Sequence, residues 1–562
     1  MRPSRSLAID VLVLAGVAAL ACLPILLYGT PKPSHDAPFH MFALKHFAAQ
    51  LLDGVAYPRW FHDMNAGYGT PTFFFYPPLP YYAATLTSVL TFWTSDPWRE
   101  VGVATWLAVA LSGITFHAWI RGEAARAAAL AAAALYMLTP YHLAVDAYIR
   151  GAYAEVWAFV WLPLVLIGVR RADRWSGVPV TALGVGLLLL THPPTSLLFA
   201  PFAAAYTLLL AGQRRSLRTV LFAASGAVLG AGLAAAYLVP AIVLQDAVRM
   251  DVMTLGALDY TRWFLFAPPR EPLKEGLTLV LTTMLALVVA LEVALRRNAT
   301  AGAHARFWAV CGVVAFLLMA APSRFVWDGI AIAQRVQFPW RLGTVLTLSL
   351  AAVAGLRLTA IAWRELTDVF RYFLLPGIVL VWFLFTIRVM PPGASPAWQQ
   401  RLFAGDMNPA AEYWTRGSER LWHARSTNST LPNDAARAVV TAGVGTVNVL
   451  AWEPRRIRIV TASEDSIVVQ LRQLHFPGWR AVFRSTGPAL ERDVAPDALA
   501  LVSVTVPPGH NDVTVTLAPT QAETVGLRVS AACALLWLIA WAAVLVRRRH
   551  RSHPACTEGS PR

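Results

Sequence analysis

The sequence predicts a polytopic α-helical membrane protein of about twelve spans with a C-terminal extracytoplasmic β-sandwich domain. Three observations lead there. Apolar residues make up 57% of the 562 positions and charged residues only 14%, and long uncharged apolar runs recur along the chain, which is membrane-protein composition. Short Arg clusters stand beside those runs, at Arg121/Arg126, Arg170/Arg171/Arg174, Arg214/Arg215/Arg218, Arg296/Arg297/Arg306, Arg357/Arg364/Arg371 and Arg547/Arg548/Arg549. The excess of cationic residues on the cytoplasmic side of membrane proteins accounts for them. Between positions 390 and 524 the apolar runs give way to period-two alternation, the pattern of strands with one buried face. The net charge of +15 therefore belongs to topology. Membrane lipid is the expected partner and nucleic acid is not.

Backbone groups find no water in the bilayer core, so the apolar runs must be helices. Arg2 and Arg5 put the N-terminus in the cytoplasm and the loop after Leu27 outside. If every Arg cluster is cytoplasmic, an even number of crossings separates each from the next. The runs that satisfy this are 11–27, 101–120, 127–138, 156–169, 178–190, 197–211, 220–239, 277–291, 307–321, 342–356, 372–387 and 527–546, which leaves both termini inside. The first run is read as an uncleaved anchor, because no small-residue cleavage site follows it. The run at 79–93 opens among Pro77, Pro78 and Pro80 and is too short for a core of ~30 Å, so it reads as a juxtamembrane helix.

Three regions result: a membrane domain at 1–389 with a large first outer loop at 28–100, a β-rich domain at 390–524, and a last helix with a basic tail at 525–562. Strands are expected at 456–463, 466–474, 500–506 and 512–519, with turns at Pro477 and Gly478 and at Pro507 to Gly509. The β domain contains no cysteine and is expected to fold on its own. Cys22, Cys311 and Cys533 lie in apolar runs and Cys556 in the tail, which gives no disulfide framework and no CxxC metal site.

Chemistry is expected in the outer loops. The first contains Asp36, His40, Arg59, Asn65 and Tyr68 among glycines and aromatics. Further along, YIRGAYAEVW holds Arg150 and Glu155, THPPTS holds His192, and QRVQFPWR holds Arg335, Gln337 and Arg341. These Arg residues lie on the wrong side to be topological signals. A carboxylate such as Asp36 can take a proton from a hydroxyl, and an Arg fork suits a phosphate. Asp36 before Pro38 reads equally as a helix N-cap, and Arg150 with Glu155 as an ion pair at a helix start. His40 lies one helical turn after Asp36, so the two share a face on which a metal could sit. No Walker loop, GxSxG or HExxH motif occurs, so nucleotide-driven and zincin-type chemistry has no support.

The segments HDAPFH (35–40), LLDGVAYPRW (51–60), NAGYGTP (65–71) and FYPPLPYY (75–82) resemble the bacterial membrane domain labelled as related to 6-pyruvoyl-tetrahydropterin synthase, a label that says nothing of pterin chemistry. The layout of the chain is also similar to the C-type glycosyltransferase superfamily, and its end, from LHFPGWRAVF (474–483) onward, to the YfhO-like branch. The resemblance implies a glycosyltransferase of the bacterial inner membrane, with Asp36 as catalytic base and a sugar on a polyprenyl phosphate as donor. The acceptor would be a glycan, lipid or protein. Substrate contacts are expected from His40, Arg59, Asn65, Tyr68, Arg150, Glu155, His192, Arg335, Gln337 and Arg341. Some members bind a divalent cation such as Mg or Mn, for which Asp36, His40 and Glu155 are the ligands at hand. The tandem acidic pair of several branches is absent, and Asp36 alone occupies the matching position. A non-catalytic carrier or scaffold binding a lipid-linked or anionic glycan is the alternative.

Overall fold

The structure, a computed structural model, describes residues 5–31, 34–91, 96–295, 302–360, 410–426, 436–484 and 490–552. Among these, eight helices are long and apolar enough to cross a membrane: Pro97–Ile120, Arg126–Arg150, Tyr153–Arg170, Pro193–Arg214, Pro272–Ala294, Gly302–Met319, Pro339–Arg357 and Gln521–Arg547. A ninth crossing results if the pair Arg218–Leu233 and Ala235–Val243, bent by 71°, is counted as one span. Among the described residues, eight or nine of the twelve spans expected from the sequence are thus matched by helices of spanning length. Ser6–Ala21 and Gly177–Leu189 are apolar but short, the latter only about 20 Å long at 1.5 Å per residue. The span expected at 372–387 and the domain boundary expected at 390 lie outside the described residues. The segment read as juxtamembrane forms the helix Leu79–Thr91 of 13 residues, again about 20 Å long.

Burial separates the inner helices from the outer ones. Tyr153–Arg170 and Pro339–Arg357 are 83% and 94% buried, whereas Pro272–Ala294 and Gln521–Arg547 are 22% and 11% buried and turn apolar surface outward. Small residues let neighbours approach where no hydrophobic drive between helices exists. A Cβ on Gly230 would stand 2.6 Å from the carbonyl oxygen of Ala182, so Arg218–Leu233 can lie against Gly177–Leu189 only with glycine there. At the bend after Leu233, Ser530 of the last helix donates to the carbonyl of Leu233 at 2.9 Å and accepts from the Ala236 amide at 2.8 Å. Both ends of the break are thereby satisfied.

The β domain consists of β1 (Ala438–Ala442), β2 (Gly445–Glu453), β3 (Arg456–Ser463), β4 (Ile467–Leu474), β5 (Trp479–Arg484), β6 (Leu490–Asp493), β7 (Ala495–Pro496), β8 (Leu501–Val506) and β9 (Gly509–Leu517). These form two antiparallel sheets, β1-β4-β8-β7 and β2-β3-β9-β5-β6. The alternation visible in the sequence becomes the burial pattern of β9, where Val513, Val515 and Leu517 point inward.

The sandwich does not close on its own residues. Trp60, Tyr68, Phe74 and Phe75 of the first loop belong to the same apolar core as Ile459, Val469, Phe476 and Trp479. The Trp60 indole donates to the Gln473 side-chain oxygen at 2.8 Å, while the Gln473 amide nitrogen donates to the carbonyls of His62 and Gly67. The expectation of a self-sufficient β domain is corrected accordingly: part of its core is supplied from some 400 residues upstream.

Candidate active site

The outer-loop residues that the sequence singles out divide into two groups. One converges around Arg150. The stretch Tyr141–Arg150 is a π-helix, whose wider turn is a recurrent feature of functional sites. It ends at Gly151, which has φ 64° and lies where a Cβ would meet the Ser34 hydroxyl at 2.6 Å. That close approach lets the Asp36 amide donate to the Arg150 carbonyl at 2.8 Å, joining the first loop to the second.

The Arg150 guanidinium is buried, with its side chain 4% exposed, and faces three carboxylates. Its Nη1 donates to Asp146 at 2.6 Å and to Glu155 at 2.8 Å, and its Nη2 to Asp36 at 3.5 Å. The Trp340 ring covers it, with 4.6 Å from Cζ to the ring centre. Arg341, next to Trp340, brings its Nε within 3.6 Å of Glu155 and donates through Nη1 to the Val336 carbonyl. The other Glu155 oxygen accepts from the Tyr141 hydroxyl at 2.8 Å. Charges buried this deeply persist only when paired, and three of the five N–H groups of Arg150 are directed at carboxylates.

Asp36 differs from its partners in exposure. It sits at the N-cap position of Ala37–Leu52, but its side chain makes no capping hydrogen bond, and the carboxylate is 40% exposed. Its charge is thus oriented by Arg150 and open to a ligand. His40, one turn on, turns Nδ1 to the Tyr81 hydroxyl at 2.7 Å. Burial drives its pKa down to about 4, with the Asp36 charge opposing and Arg150 reinforcing the fall. His192 caps Pro193–Arg214, accepting from the Thr195 amide. Burial lowers its pKa to about 3 although Glu155 opposes. Both imidazoles are neutral near pH 7.

A divalent cation does not fit this arrangement. Asp36 and Glu155 flank the Arg150 guanidinium, His40 is committed to Tyr81, and among the described residues no group of three His, Cys, Asp or Glu could hold a metal ion. The suggestion of a site formed by Asp36, His40 and Glu155 is corrected on that ground.

The second group lies elsewhere. Arg59 ion-pairs with Glu523 at 3.6 Å and donates to the Ala236 carbonyl at 2.8 Å, so it ties the loop to the last helix. Asn65 is fully buried in a left-handed turn and donates to the Gly69 carbonyl. The Tyr68 carbonyl accepts from the Leu474 amide and its ring lies in the β-domain core. Arg335 is exposed and donates to Gln245 at 2.6 Å. Gln337 is buried in a turn at φ 70°. The partners named for these residues lie outside the Asp36–Arg150 cluster.

Three groups of the cluster escape the sequence reading. Asp146 and Tyr141 sit in a stretch that looks like a loop, although the spacing of Asp146 and Arg150, four apart, is a signal for a shared helix face. Glu412, on the turn Ala411–Tyr413, belongs to the chain just before the sandwich. Burial raises its pKa, with the Asp36 charge adding to the rise and Arg341 opposing it. The neighbouring Tyr413 ring lies 6.0 Å from that of Phe39 and 6.1 Å from that of Tyr76.

No curated protein matches the chain. A solved structure similar to it is the Archaeoglobus fulgidus oligosaccharyltransferase in the apo form, 11% identical, with a TM-score of 0.37. The likeness covers 75% of this chain and 58% of that one, so the chain spans just over half the length of that structure. The family model of the 6-pyruvoyl-tetrahydropterin synthase related domain, a membrane protein domain, matches residues 73–390. That stretch includes Arg150, Glu155 and Arg341 and begins after Asp36. It is more than half of the chain, and the protein is therefore a member of the membrane proteins with the 6-pyruvoyl-tetrahydropterin synthase related domain.

Proposed function

We propose that the protein is an inverting membrane glycosyltransferase that moves a sugar from a polyprenyl-phosphate carrier to an acceptor hydroxyl outside the cytoplasmic membrane of a bacterium. The observation that carries this reading is the meeting of Asp36, Arg150, Glu155 and Arg341, from three separate segments, in one polar cluster where Arg150 and Glu155 are buried and the Asp36 carboxylate is 40% exposed. The first-loop motif agrees with it, since it resembles that of C-type glycosyltransferases, in which an acidic residue of this loop is the base. Both termini would be cytoplasmic, with the Arg-rich helix ends inside.

In this reading the Asp36 carboxylate takes the proton of the acceptor hydroxyl. The hydroxyl oxygen bonds to the anomeric carbon from the face opposite the phosphate. The bond from that carbon to the phosphate oxygen breaks, and its electron pair leaves with the lipid phosphate. Arg341 is the cation best able to meet the developing charge, because its Nε makes no hydrogen bond and touches Glu155 only as an ion pair at 3.6 Å. Arg150 positions Asp36, and Glu155 and Asp146 in turn hold Arg150.

Asp36→Asn keeps the volume of the side chain but not its basicity. Transfer from a radiolabelled polyprenyl-phosphate sugar, measured in proteoliposomes, is expected to fall by roughly 10² to 10⁴, with donor binding retained. Transfer by this variant at the wild-type rate would remove the catalytic assignment. Donor binding without transfer in the wild type would make the protein a carrier.

A further inference from the structure

A second cluster of charged groups lies at the opposite end of the bundle. Helix Tyr153–Arg170 carries Glu155 at its start and Arg170 at its end, which sets the two sites roughly 20 Å apart at 1.5 Å per residue. Around Arg170 the ends of four segments meet: the turn after Pro97–Ile120 with Glu123, the ends of Tyr153–Arg170 and Pro193–Arg214, and the start of Gly302–Met319 with His304. They enclose an open cavity of about 470 Å³ lined by Glu123, Arg170, Leu210, Gln213, Arg214 and His304.

The charged side chains lining that space are Arg170 and Arg214 against Glu123, a positive excess. Glu123 is taken by His304 Nδ1 and by the Tyr206 hydroxyl at 3.3 Å. It meets Arg170 Nη1 only at ion-pair distance, 3.6 Å, and that buried nitrogen has no hydrogen-bond partner. Arg214 donates through Nη2 to the Arg170 carbonyl at 2.7 Å and through Nη1 to Thr219 only at 3.5 Å. Gln213 accepts from His304 Nε2 at 2.8 Å, which leaves its amide nitrogen at the cavity. Two guanidinium groups against one carboxylate suit an anion with several acceptor oxygens. Below it lie Trp119, Tyr206, Phe307 and Trp308, packed ring to ring, the aromatic layer expected at a membrane–water boundary.

We infer that this cavity is a binding site for a phosphate group, formed by Arg170, Arg214 and Gln213 at the end of the bundle opposite Asp36. The site is independent of the glycosyltransferase reading. A lipid headgroup and a soluble phosphate offer the same chemistry, and the position at the helix ends favours the headgroup.

The test uses the full-length protein in nanodiscs containing equal amounts of phosphatidylglycerol and phosphatidylcholine, with retained lipid counted by native mass spectrometry. The wild type is expected to retain at least one phosphatidylglycerol, and Arg170→Gln with Arg214→Gln to lose it about tenfold more readily. Gln213→Glu changes an exposed side chain and preserves its bond to His304, so it keeps the fold. It sets a second negative charge in the cavity and is expected to weaken retention similarly. Displacement of the lipid by millimolar inorganic phosphate would identify a site for soluble phosphate, and its absence a headgroup site. Equal retention by the wild type and Gln213→Glu would overturn the inference.

Discussion

Arg150 shows how much a single residue can decide. Removing it leaves Asp146 and Glu155, both almost fully buried, without their shared counter-charge, and breaking a buried pair in this way costs about 3 to 5 kcal/mol. Arg150→Ala should therefore lower the melting temperature strongly, whereas Arg341→Ala should leave it near the wild-type value. The latter should instead weaken donor binding, by about 1.5 to 3 kcal/mol for a lost charged hydrogen bond. Scanning calorimetry and a donor-binding titration separate the two. A melting temperature unchanged in Arg150→Ala would show that the carboxylates do not depend on it. The histidines give a pH dependence. His40 and His192 are held at about 4 and about 3 by burial, below the ordinary value of about 6.5. The unfolded chain binds the extra protons, so stability is full above pH 6.5 and declines as pH falls towards 4. The slope is up to about 1.4 kcal/mol per pH unit for each histidine. Melts of His40→Gln between pH 7.5 and 4.5 should show a shallower decline, and a slope identical to the wild type would contradict the assignment. At this scale the sequence was informative where charge stood out. Arg150, Glu155 and Arg341, which topology did not account for, and Asp36, which the first-loop motif singled out, lie together in the structure, whereas Arg335, off-topology by the same criterion, bonds Gln245 instead. Arg59 and Tyr68 join the first loop to the last helix and to the β domain, a use that polar and aromatic residues do not distinguish in sequence from ligand binding.

At the scale of elements, alternation marked the strands well. β3 is Arg456–Ser463 and β4 Ile467–Leu474, each within a residue of expectation. The short β6 and β7 carry no such signal, and β6 is exposed along its whole length, which removes the contrast that alternation needs. Nor could periodicity reveal that the sandwich is completed by the first loop, since pairing across hundreds of residues leaves no local trace. That contact has a measurable weight. Trp60→Ala removes a fully buried indole and its bond to Gln473, a loss of about 3 to 5 kcal/mol. Limited proteolysis of the full-length variant should cut the β domain faster than in the wild type. An unchanged cleavage rate would mean that the sandwich is stable without the loop.

For the molecule as a whole, the membrane character was legible from composition, while hydropathy alone does not fix the number of spans. Gly177–Leu189 has the hydropathy of a span but only 13 residues, and the pair bent at Leu233 counts as one span or none depending on how the break is read. The proposed orientation makes a direct prediction. In a cysteine-free background, a cysteine at the exposed Glu464, on the β3–β4 turn, should react with a membrane-impermeant maleimide in intact cells. One at Arg215 should react only after permeabilisation. The reverse pattern would turn the protein over in the membrane.

The shared core also sets the order in which the protein can be made. Trp60 and Gln473 are 413 residues apart, and at ~5 to 20 residues per second the ribosome needs about 20 to 80 s to travel between them. During that interval the aromatic face of Trp60, Tyr68, Phe74 and Phe75 is uncovered, although the helix after Asp36 already has Arg150 and the membrane helices to pack against. The nascent chain thus holds one half of an apolar core for tens of seconds before the strand that covers it is made.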